Sequence, residues 1–181
     1  MKQAIALFAA ALIGGCLSSG AREADRYFIL EAAPGARAVS TVVVAPTSVS
    51  SFYDTQDIVY SRAPGTRAYY QFNRWTERPQ RAIHAQLASR FQAGAKSGRV
   101  LSTHLEEIYH DAAQPPGTAR ITLTAQLVDP ASRAVLARRT FSRSAPAASY
   151  DAPGAVQGFR QALGALLDEV AAWVDAEAKA K

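Results

Sequence analysis

The C-terminal stretch constrains this chain most. Val156, Phe159, Leu163, Leu166, Leu167, Val170, Trp173 and Val174 recur every three or four residues, the spacing that gathers apolar side chains into one helical stripe. Asp151 is placed to cap this helix and Pro153 to sit in its first turn. At 1.5 Å per residue it is about 35 Å long, enough to cross a whole sheet. A stripe of that length needs a broad apolar partner. The strand signal over Ala119 to Asp129 supplies one face of it: Ile121, Leu123, Ala125 and Leu127 alternate with Arg120, Thr122, Thr124 and Gln126, as in a half-buried antiparallel strand.

Other elements follow from the same patterning. Tyr27-Phe28-Ile29-Leu30 reads as a first strand, and Val39 to Ala45 as a second that Pro46 stops, with a polar loop from Thr47 to Gln56 after it. Asp57 to Arg62 and Thr66 to Phe72 flank Ala63-Pro64-Gly65 and predict a hairpin. Pro79 opens a helix with Ile83, Leu87 and Phe91 on one stripe, and Gly94 and Gly98 lie where it should end. Val100 to Asp111 suits either a strand or a helical face. Asp129-Pro130-Ala131-Ser132 turns the chain, and Arg133 to Arg143 returns. The order predicts an α+β domain, a mostly antiparallel sheet with two helices packed on one face. Residues 26–181 form it as a single domain.

The N-terminus reads as an address. Met1-Lys2 is a short basic start, Ala4 to Ile13 an apolar core too short to span a bilayer, and Gly14-Gly15 offer small residues for a peptidase. Cys16, the single thiol, follows directly. Leu12-Ile13-Gly14-Gly15-Cys16 resembles a bacterial lipobox, which makes 1–15 a lipoprotein signal peptide, Cys16 the lipidation site and 16–25 a tether; the alternative is an ordinary signal peptide that contains a Cys. One thiol excludes an internal disulfide and a Cys-rich zinc module. No other run approaches the roughly 20 apolar residues of a membrane span.

Charge sets the partners. The formal balance is +5, and 16 of the 20 basic residues are Arg, which would ordinarily raise nucleic acid. Export argues against nucleic acid and turns attention to head groups, cell wall and envelope proteins. Leu17 rather than Asp after Cys16 permits sorting to the outer membrane, periplasmic face.

No catalytic kit is visible, and no cofactor or metal is expected. His84 lies beside Ile83 on a helix. His104, Glu106 and His110 share one face if their segment is a regular strand, yet at about 3.3 Å per residue the two His are roughly 20 Å apart, whereas zinc ligands sit about 2 Å from one ion. If the segment is helical, His104, Glu107 and Asp111 align instead. Glu106 and Glu107 are adjacent and face apart in a strand; Asp168 and Glu169 read as a solvated helix face. The Ser and Gly residues form neither a G-x-S-x-G elbow nor a phosphate loop.

Two features point to binding. Seven of the 16 aromatics fall between Phe52 and Trp75, and Tyr69 and Tyr70 face opposite sides of a strand, so Tyr53, Tyr69, Tyr70 and Trp75 are partner-binding candidates beside their reading as core. Arg120, Arg133, Arg138, Arg139 and Arg143 make the late hairpin basic, with Asp129 the lone acid between Arg120 and Arg143. Arg138 and Arg139 are the candidates for an acidic partner or head groups, beside the reading of a solvated sheet face.

Cys16 with its lipobox, Tyr27 and Leu30, Ile58-Val59-Tyr60, Tyr69-Tyr70, Trp75 before the Pro79 helix, Leu136-Ala137-Arg138-Arg139 before Phe141, and Ala155-Val156 opening a helix that reaches Trp173 together resemble the ABC-type transport auxiliary lipoproteins. The departure is Trp75-Thr76-Glu77-Arg78-Pro79, where relatives more often carry a small residue and paired prolines. The resemblance implies a non-enzymatic, lipid-anchored subunit of an intermembrane lipid-transport system, working beside a permease, an ATPase and an MCE-domain protein as its partner. The alternative is an outer-membrane scaffold lipoprotein for envelope or cell-wall assembly. A homo-oligomer is open under both.

Overall fold

The computed structural model describes residues 24–91 and 98–179. Cys16, the signal peptide and most of the tether lie outside the described residues, as do Gly94 and the residues around it. In chain order the elements are β1 (Arg26–Phe28), β2 (Val43–Val44), β3 (Ser48–Val49), a single 3-10 turn (Ser51–Tyr53), β4 (Asp57–Ser61), β5 (Ala68–Trp75), α1 (Pro79–Arg90), β6 (Val100–Asp111), β7 (Thr118–Val128), β8 (Val135–Pro146) and α2 (Ala152–Lys179). The class is α+β, as the periodicity predicts.

The strand order is β1-β5-β4-β6-β7-β8, with β2 and β3 also paired to β6. β6, β7 and β8 form a long antiparallel meander. The sheet is mostly antiparallel, as expected, and its short edge pairings make it mixed. β1 runs parallel to β5, and β2, β3 and β4 run parallel to β6 opposite residues 100–101, 104–105 and 110–111 in turn. One broken strand thus runs along the edge of β6. The break has a local cause. Pro46 has no N–H to donate, Thr47 turns its hydroxyl onto that of Thr103 at 2.8 Å, and pairing resumes at Ser48, inside what reads as a loop in the sequence.

Val100 to Asp111 is strand throughout, and a bulge explains its ambiguous pattern. Leu105 pairs with Leu123 but Glu107 with Thr122, so Glu106 is an extra residue and the inward parity flips across it. Leu101, Thr103 and Leu105 point in before the bulge; Ile108 and His110 point in after it. His104 and His110 therefore lie on opposite faces, which corrects the same-face reading.

α2 packs over β7 and β8. Asp151 caps it, its Oδ1 accepting from the Gly154 N–H at 2.8 Å. Gly158 lets the helix approach: a Cβ there would lie 2.9 Å from both the Ala119 Cβ and the Pro146 carbonyl oxygen. Phe159, Leu163, Leu166, Leu167, Val170, Trp173 and Val174 share one buried cluster with Ile83 and Leu87 of α1 and with Leu101, Leu105, Ile121 and Leu123 of the sheet. α1 is shorter than its stripe implies. It ends at Arg90, whose carbonyl accepts from the Ala38 N–H at 2.7 Å, and Phe91 enters the core from extended backbone. Arg90 is itself buried; its guanidinium lies 2.8 Å from Asp168 and donates to the carbonyls of Ala36 and Ala33, tying the 33–38 segment between the helices.

Candidate functional site

The β4–β5 hairpin and the 3-10 turn assemble the aromatic region. Phe52 and Tyr69 stack at 5.0 Å between centroids and 13° between planes, and the Tyr69 hydroxyl donates to the Phe52 carbonyl at 3.2 Å. Both rings are exposed, Tyr69 at 43%. Behind them Tyr53 is buried and accepts from Arg67 Nε at 3.0 Å. Arg67 also pairs with Glu107 at 3.0 Å and lies 3.7 Å above the Tyr109 ring. Burial raises the Tyr53 pKa, while Arg67 opposes the shift. The result is an aromatic shelf backed by Tyr53, which meets Phe52 edge-on at 5.5 Å.

Tyr70 points the other way. Its ring packs 4.7 Å from Tyr60, and its hydroxyl bonds His110 Nδ1 at 2.7 Å. Burial holds its own pKa up at about 12. Trp75 is 1% exposed and meets Phe159 edge-on at 5.6 Å. Of the four aromatic candidates, then, Tyr69 alone is exposed; Tyr53 and Trp75 are core side chains, and Tyr70 is half-buried between Tyr60 and His110. Phe52, which completes the shelf, is missed by reasoning from the strands because it sits in the turn before them.

The arginines of the late hairpin separate in the same way. Arg138 and Arg139 are neighbours on β8 and so face apart. Arg139 and Arg143 flank Phe141 on the helix side, where both reach Glu169 of α2, and Arg120 pairs with Asp111 at 2.9 Å. Arg138 points to the opposite, polar face, opposite Gln126 in the register. The basic ribbon expected from sequence is therefore divided between two faces and largely paired with acids.

On that polar face His104 is held by two hydroxyls, Ser48 at 2.8 Å from Nδ1 and Ser50 at 3.2 Å from Nε2, with Glu106 at 3.6 Å from Nε2. The sequence spacing of His104 and Glu106 raises only a metal reading, whereas the structure places both on this polar face, and Glu107 is taken up by Arg67. Among the described residues no group of three or more His, Cys, Asp and Glu side chains converges as a metal ion needs. No helix among the described residues is long and apolar enough to cross a membrane.

Fold and surface together define an α+β domain in which two helices back a mixed sheet whose other face carries the Phe52–Tyr69 shelf and a polar strip around His104. Comparison with protein families matches residues 30–171 to the ABC-type transport auxiliary lipoprotein component, and the chain belongs to that family. Among solved structures it is similar to protein XCC0632 from Xanthomonas campestris, with a TM-score of 0.74, 23% identity, and coverage of 86% of this chain and 98% of that one. A second, described as an uncharacterized protein, aligns with a TM-score of 0.62 and 14% identity over 86% of this chain and 99% of that one. These likenesses show the fold. Comparison with curated proteins gave no match. Family membership makes the chain a lipoprotein auxiliary to ABC-type transport, hence a membrane-anchored envelope protein with a transporter as partner.

Proposed function

We propose that this chain is the periplasmic docking subunit of an ABC-type intermembrane lipid-transport system, anchored at the outer membrane through acylated Cys16 and joined to the MCE-domain component by contact rather than by catalysis. Its residues from about 26 onward act as one domain in this role. The observation that carries the docking role is the Phe52–Tyr69 shelf: two exposed rings already stacked and hydrogen-bonded. Side chains ordered before association lose little further entropy in it, and interface energy concentrates on such aromatic anchors. Arg67, bonded to Tyr53 and Glu107, reaches the shelf through Tyr53, which meets Phe52 edge-on at 5.5 Å.

Photo-crosslinking tests the reading. With a benzophenone amino acid in place of Tyr69 in cells, the expected adduct contains the MCE-domain protein. An adduct confined to cell-wall proteins, or none at position 69 while surface positions on α2 crosslink the MCE protein, contradicts it.

A further inference from the structure

The polar face of the sheet holds a pocket of about 250 Å³ whose chemistry the docking role leaves unused. Strand register builds it from two cross-strand rows, Ser48–His104–Thr124 and Ser102–Gln126–Arg138, and the bulge adds Glu106. Every lining side chain is polar. A pocket of this volume, below the range of drug-sized sites, and with no apolar wall, takes a small polar group and excludes an acyl chain.

Its charges are one of each sign. Arg138 makes no ion pair or side-chain hydrogen bond among the described residues, and β6 and β8 stand two strand spacings apart, about 9–10 Å. Arg138 and the carboxylate of Glu106 therefore enter from different strands. An anion alone would meet the repulsion of Glu106, and a cation alone that of Arg138. A ligand carrying both signs satisfies both. Hydroxyl and amide groups between the two charges supply neutral partners, and His104 is already oriented by Ser48 and Ser50. A guanidinium is suited to two oxygens of one phosphate, and a carboxylate to an ammonium.

We infer that this pocket binds a zwitterionic phosphate–ammonium group of the phosphoethanolamine class, with the phosphate on Arg138 and the ammonium on Glu106. The inference deepens the lipid-transport reading and rests on it for the source of the ligand.

The test is calorimetric titration of the full-length lipidated protein in a sugar detergent. Four probes are used: glycerophosphoethanolamine, glycerophosphoglycerol, inorganic phosphate and monomeric dihexanoylphosphatidylethanolamine. The ethanolamine headgroup and the short-chain lipid should bind with similar affinity, at least tenfold tighter than phosphate or the glycerol headgroup. Arg138→Gln should weaken both at least tenfold, Glu106→Gln should erase the preference for ethanolamine over glycerol, and Arg120→Gln on the same face should change neither. The inference is overturned if no probe gives heat, if phosphate binds as tightly as the headgroup, or if binding survives Arg138→Gln. Co-purification of the MCE-domain protein is followed in parallel. Its persistence without headgroup binding sinks this inference alone, whereas its absence from the wild type sinks the docking reading.

Discussion

His110 Nδ1 lies 2.7 Å from the Tyr70 hydroxyl while its Nε2 lies 3.2 Å from the Pro116 carbonyl oxygen, so one fully buried imidazole links the aromatic hairpin to the β6–β7 turn. The carbonyl can only accept, which places the ring proton on Nε2 and leaves Nδ1 to accept from Tyr70. Burial holds the His110 pKa below its ordinary 6.5. The unfolded chain then binds more protons than the folded one between the two values, so stability is full above pH 6.5 and falls as pH drops below it. Melting temperature measured from pH 5 to 8 should decline on the acid side, and His110→Gln, which keeps a donor and an acceptor, should flatten that decline. An unchanged slope in the variant would place the acid sensitivity elsewhere.

Gly117 is part of the same contact. Its φ of +89° suits glycine, and a Cβ would fall 2.0 Å from His110 Nε2 and 2.8 Å from the Asp111 carbonyl oxygen. Gly117→Ala should cost about 3 kcal/mol, at the upper end of ordinary single substitutions. Urea denaturation measures it; a loss under about 0.5 kcal/mol, the scale of an unconstrained surface change, would contradict the packing.

Leu163 is fully buried on the α2 stripe. Leu163→Asp places an unpaired charge there, at a cost of several kcal/mol, comparable to the whole stability of a domain this size. Circular dichroism of the purified protein should show loss of the cooperative melt, and a wild-type melt would remove α2 from the core.

Arg139 and Arg143 converge on Glu169, but both arginines are about half-exposed. Arg139→Gln should therefore lower stability by no more than about 1 kcal/mol, visible at low salt and diminished at high salt. Its headgroup affinity should match the wild type, since Arg139 lies across the sheet from the Arg138 pocket.

Much of this fold is legible in the sequence because its strongest elements are periodic. The α2 stripe, the β7 alternation and the hairpin around Pro64 each declare one buried face. The bulge at Glu106 is not legible: an inserted residue that reverses strand parity looks like imperfect periodicity, which is why His104 and His110 read as sharing a face. The short parallel strand β3 is hidden for a different reason, since a two-residue pairing follows from the edge that β6 offers rather than from its own composition, whereas β2 lies inside the expected Val39 to Ala45 strand and pairs only at Val43–Val44. For the candidate site, clustering of aromatics is visible in the chain, but burial is decided by partners distant in sequence. Trp75 meets Phe159, Tyr70 meets His110, and Tyr69 is left to stack on Phe52 in the open.

We propose that the chain docks, through Tyr69, onto an MCE-domain transport component. Quantitative co-purification of full-length wild type and Tyr69→Ala, extracted from membranes in the same detergent, tests it most directly. Wild type should retain the MCE-domain protein, and Tyr69→Ala should reduce the yield at least tenfold with the melting temperature shifted little, because interface anchors of this kind contribute about 2 kcal/mol or more. Equal recovery with both proteins would move the docking surface away from the shelf, and wild type that retains no MCE-domain protein would contradict the account itself.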